Sequence, residues 1–107
     1  MSQEEVKAAV VRNALRICEE RINNKSGTAT PEIMKSIRNQ LRWLVSYFEG
    51  KNSERVKLST LVFGQYAARE VDGRDEEFTD ALYKAAYVAD QTAKGLKIDH
   101  EVIKSDS

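Results

Sequence analysis

A chain of 107 residues, 41% hydrophobic and 32% charged, has the composition of one small globular domain, and no apolar run approaches the ~20 residues of a membrane span. Lys+Arg and Asp+Glu both number 17, a balance that argues against nucleic acid or an anionic membrane as principal partner, since both select a basic excess. One cysteine leaves no intramolecular disulfide or Cys-pair zinc cluster, and one histidine, His100, removes most His-dependent catalysis, so composition points to a soluble, cytoplasmic, non-enzymatic domain.

The start, Met1-Ser2-Gln3-Glu4-Glu5, is acidic and reads as no secretory signal. It leads into a first predicted helix over 3–23, where Val11, Leu15, Cys18 and Ile22 recur at spacings of 4, 3 and 4 with Arg12, Arg16, Glu19 and Glu20 around them. The polar run Asn23-Asn24-Lys25-Ser26-Gly27 ends it. A second helix begins with Thr30 as cap and Pro31 in the first turn, and Met34, Ile37, Leu41, Leu44 and Phe48 form its stripe up to Gly50. A third is expected from 53 or 59 to 71, with Leu58, Leu61, Val62, Tyr66 and Ala67 inward. Gly64 in its interior predicts close approach of a neighbouring helix. After the turn Asp72-Gly73-Arg74, Asp75 caps a fourth helix whose inner face is Phe78, Ala81, Leu82, Ala85, Val88, Ala89 and Thr92. Gly95 ends it in a left-handed cap, with Leu96 placed for the accompanying hydrophobic contact.

Short connections imply an all-α, compact antiparallel bundle of four main helices. Its core is drawn from Val11, Leu15, Ile37, Leu41, Leu44, Leu61, Leu82 and Val88. Residues 1–99 form a single helical domain, and 100–107 a loosely held tail.

No residue set supports catalysis, a cofactor or a metal. No Gly-rich loop follows a strand, the triplet Asp99-His100-Glu101 lies in the tail, and Cys18 sits on the inner stripe as a packing residue. Charge is nevertheless polarised. Residues 59–80 carry six acids (Glu70, Asp72, Asp75, Glu76, Glu77, Asp80) and two bases, net −4, whereas 32–58 carry six bases and three acids, net +3. Acids in a helix's first turn complement its dipole, which accounts for Asp75, Glu76 and Glu77 and explains Glu70 and Asp72 less well, since they lie at the negative end of the preceding helix. The acidic end therefore suits a basic protein surface. Trp43 and Tyr47, and Tyr83 and Tyr87, are i, i+4 pairs at stripe edges, where they serve edge packing or anchor an interface.

From Leu61 onward the pattern Leu61, Gly64, Ala67, Arg69-Glu70, Asp72, Asp75, Glu77, Ala81-Leu82, Ala85, Tyr87-Val88, Thr92 and Lys94-Gly95-Leu96-Lys97-Ile98-Asp99 resembles the immunity proteins of type VI secretion toxins that are NAD(P)+ glycohydrolases. The stretch 37–44 is similar more loosely, while the first helix matches poorly. The resemblance implies a bacterial cytoplasmic antitoxin that binds the toxin's catalytic domain and covers the cleft through which NAD+ enters. Charge polarity and that resemblance together nominate Glu70, Asp72, Asp75, Glu77, Tyr83 and Tyr87 as partner-binding residues, with a protein partner and neither nucleic acid nor membrane. A helical adaptor or oligomerising regulator, self-associating through the Trp43/Tyr47 face, is the alternative reading. A carboxylate-bound Mg2+ is the one opening for an enzyme.

Overall fold

The computed structural model describes residues 2–103. Helix α1 spans Gln3–Asn23 and starts with a reciprocal cap: the Glu5 amide donates to the Ser2 hydroxyl while the Glu5 carboxylate accepts from the Ser2 backbone N–H. Ala8, Val11, Ala14, Ile17 and Cys18 are its buried apolar residues. Leu15, expected in the core, is only half-buried. The helix is covered on two sides, so its buried face is broad and centred on Ala14; one residue further, a rotation of about 100° places Leu15 at the rim.

Helix α2, Pro31–Phe48, matches its expected start and face. The Thr30 hydroxyl accepts from the Ile33 amide, and Met34, Ile37, Leu41, Leu44 and Phe48 are buried. Ion pairs Arg12–Glu49 and Arg42–Glu19 join α1 and α2 in antiparallel register. Helix α4, Glu76–Ala93, is also antiparallel to α1: Arg21 meets Asp75 at one end, and Gln3 meets the Ile98 amide at the other.

The third member of the bundle is a composite rather than one continuous helix. A 3-10 helix over Arg55–Thr60 is followed by α3, Phe63–Tyr66, which runs into a π-helical segment, Ala67–Val71. Ser59 and Thr60 donate their hydroxyls backward to the carbonyls of Val56 and Lys57, and Leu61 is extended, which ends the first piece. Gln40 of α2 restarts the chain, its side-chain oxygen accepting from the amides of Val62 (2.8 Å) and Phe63 (3.0 Å). The break rotates the apolar face, so Leu61 is half-buried rather than core, and Phe63 and Val71 are fully buried instead. Gly64 does sit at a close approach: a Cβ there would stand 3.2 Å from the Ala86 Cβ on α4.

Gly95 ends α4 with φ +72, and the Leu96 amide bonds the Gln91 carbonyl at 2.8 Å. Leu96 itself remains half exposed, so the expected apolar contact of that cap is missing. Arg55 from the 3-10 helix instead donates to the carbonyls of Thr92 and Ala93. The chain then returns to α1, where Ile98 is buried. A short turn, α5, covers His100–Ile103, with Ile103 against the core. The remainder of the expected tail, 104–107, lies outside the described residues.

Candidate functional site

The acidic candidates converge where α1 ends and α4 begins. The π segment delivers them: the Asp72 amide bonds the Ala67 carbonyl five residues back at 2.8 Å, keeping Ala67 and Val71 both buried while the chain turns outward. Gly73, at φ +83, completes the turn to Asp75.

Asp75 is the N-cap of α4, its Oδ1 accepting from the Phe78 amide at 3.1 Å. Both of its oxygens also accept from Arg21, Oδ2 from Nε at 2.8 Å and Oδ1 from Nη2 at 3.3 Å. The same Nη2 donates to Glu77 at 2.8 Å. Arg21 holds the Asp75 carboxyl below the usual aspartate range, with the Phe78 amide adding to the effect against burial. In return Asp75 first, and then Glu77, hold Arg21 more firmly protonated. The Asp75 side chain is 13% exposed and that of Glu77 63%. Asp75 is thus a structural acid; Glu77 still reaches solvent.

Asp72 accepts from the Tyr83 hydroxyl at 2.9 Å, a bond that pushes the phenol's pKa up. Tyr83 lies at the surface, 39% exposed. Glu70 is half-buried, and its backbone carbonyl accepts from the Thr28 hydroxyl at 3.3 Å, tying the α1–α2 loop to this end. Tyr87 does not join the group. It lies about 18 Å along α4 from Asp75, and its hydroxyl accepts from the Asp99 amide at 2.8 Å, fastening the returning chain.

Arg21 is the residue that sequence reasoning missed. A lone base in a helix's last turn looks like a dipole partner, and only the fold reveals the two acids 54 and 56 positions away. The Trp43/Tyr47 edge is half-buried against the core: the rings lie 5.6 Å apart, Tyr47 packs edge-on against Phe48, and Lys57 sits 5.1 Å from the Trp43 ring.

The arrangement suits recognition. Burial pushes the Cys18 thiol up to about 11, leaving it protonated at neutral pH. Among the described residues no three potential metal donors converge, and no helix is long and apolar enough to cross a membrane. The acidic end presents Asp72, Glu77 and the exposed Tyr83 at the surface.

Comparison with known proteins shows the family and the fold. The model of the Tsi6 family matches residues 7–91. The chain is 35% identical to the Immune protein Tsi6 of Pseudomonas aeruginosa PAO1 over 68 residues, which is 64% of this chain and 72% of that protein. Its fold superposes, with a TM-score of 0.76 and 30% identity, on a chain in the solved structure of Tse6 in complex with Tsi6, covering 92% of this chain and 98% of that one.

Proposed function

Because the chain belongs to the Tsi6 family, we propose that it is an immunity protein. It binds the catalytic domain of a cognate type VI secretion toxin, an NAD(P)+ glycohydrolase, in the cytoplasm of the producing bacterium, and blocks substrate access without itself catalysing a reaction. The observation that carries this reading is the likeness over nearly the whole fold to a chain solved in a complex of Tse6 with Tsi6.

The acidic end supplies the proposed contact. A cleft that admits a dinucleotide attracts phosphates and so carries basic residues, which Glu70, Asp72 and Glu77 can engage. Tyr83 adds an aromatic surface whose hydroxyl is already satisfied by Asp72, so burying it leaves no orphaned donor. Asp75 and Tyr87 contribute indirectly, the first by setting the start of α4 and the second by holding the chain at Asp99. Inhibition then needs only occlusion, and the inhibitor can be rigid and chemically inert.

Co-expression tests it. A cognate toxin domain should deplete cellular NAD+ and arrest growth, and this chain should restore both. NAD+ depletion that continues undiminished in the presence of the folded chain contradicts the reading.

A further inference from the structure

We propose that an apolar socket between the end of α1 and the start of α2 receives an apolar side chain of the toxin domain flanked by a carboxylate, an extension that rests on the immunity reading. The socket measures about 400 Å³ and is walled by Ile22, Ala29, Pro31 and Met34 beside Gly27. A Cβ at Gly27 would stand 3.1 Å from the Met34 Cε, so the bare glycine lets this flexible side chain lie against the loop as an adaptable wall.

Its rim is basic. Arg21, Lys25 and Lys35 border it. Arg21 is already engaged by Asp75 and Glu77, whereas Lys25 and Lys35 make no ion pair among the described residues. Two uncommitted ammonium groups beside an apolar opening favour an apolar group that brings its own anion and repel one that brings a cation.

The backbone at Lys25 supports this assignment. The ends of α2 and α4 place Gly50 and Gly95 in the left-handed region, at φ +79 and +72. The equivalent turn after α1, closed by the bond from the Ser26 amide to the Arg21 carbonyl, uses Lys25 at φ +53. Glycine is the more stable residue in that conformation. Fold stability therefore does not account for lysine here, and its charge at the rim is the role the proposal assigns it.

The socket is continuous with the acidic end. Arg21 belongs to both, and Thr28 in the intervening loop bonds the Glu70 carbonyl. An apolar centre with charges of both signs around it has the anatomy of an interface anchor, and the alternation of sign would orient the partner.

The test uses the full chain and its cognate toxin domain, with affinity and melting temperature measured for Lys25→Gly, Lys35→Glu and Ala29→Trp. Lys25→Gly should melt no lower than wild type yet bind more weakly, a pairing that a merely structural lysine would not produce. Lys35→Glu should weaken binding about 10-fold, and Ala29→Trp, which fills the socket, about 30-fold or more. Should the tryptophan variant fail to fold, the two lysine variants decide. Wild-type affinity in every folded variant overturns the socket while leaving the immunity reading intact. Loss confined to Ala29→Trp overturns the carboxylate-flanked occupant. Failure of the wild-type chain to bind the domain overturns both.

Discussion

Arg21 and Asp75, 54 positions apart, share two hydrogen bonds in a largely buried ion pair, and the same carboxylate caps α4. One interaction thus fixes where α4 begins, how it meets α1, and the orientation of the acidic surface. Removing the carboxylate loses a cap and leaves the guanidinium only its bond to the more exposed Glu77. Asp75→Ala should therefore cost about 2 kcal/mol or more in chemical denaturation, and the cycle with Arg21→Ala should show a coupling of about 1 kcal/mol.

The pair also sets an acid response. Its folded pKa lies below the unfolded value, so the contribution of Asp75 is complete above the ordinary aspartate range near pH 4 and fades as pH falls through the depressed folded value. Asp75→Asn should flatten this limb of the stability profile, and an unchanged acid limb in that variant would contradict the assignment.

Core depth separates two leucines that the periodic pattern treats alike. Leu41 is fully buried, and Leu41→Ala should cost about 2–5 kcal/mol. Leu15 lies at the rim of α1, so Leu15→Ala should cost clearly less, about 1 kcal/mol. Denaturation midpoints of the two variants give the comparison directly.

Close packing at Gly64 predicts a rescue. Gly64→Val places new atoms against the Ala86 Cβ and should destabilise by about 1–3 kcal/mol. Adding Ala86→Gly should recover part of the loss despite glycine's cost within a helix, and no recovery would place the strain elsewhere.

Cys18 should be silent in the native protein. Its thiol is fully buried and its pKa pushed up to about 11. Ellman's reagent at neutral pH should therefore react only after unfolding in guanidinium; rapid native reaction would mean that the α1–α2 seam opens.

Local rules carried most of the fold. Thr30-Pro31 and Asp75 are strong start signals, and the apolar spacings of α2 and α4 reproduce their buried faces. The third helix was less legible because its form depends on a partner: without the two amide bonds to the Gln40 side-chain oxygen, nothing in 59–63 announces where α3 restarts. The site divides in the same way. Glu70 and Asp72 stood out because helix-dipole chemistry does not explain acids at a helix's negative end. Arg21 remained hidden because its role is defined by residues far along the chain, and Tyr87 looked equivalent to Tyr83 until the chain returned to Asp99.

Calorimetric titration of the purified chain into its catalytically inactivated cognate toxin domain tests the central claim most directly. A stoichiometric complex is expected, with affinity reduced at least tenfold (about 1.4 kcal/mol) by the folded variant Glu70→Lys/Asp72→Lys, and more strongly at low ionic strength. Absence of binding by the folded wild-type chain at micromolar concentrations would contradict the account.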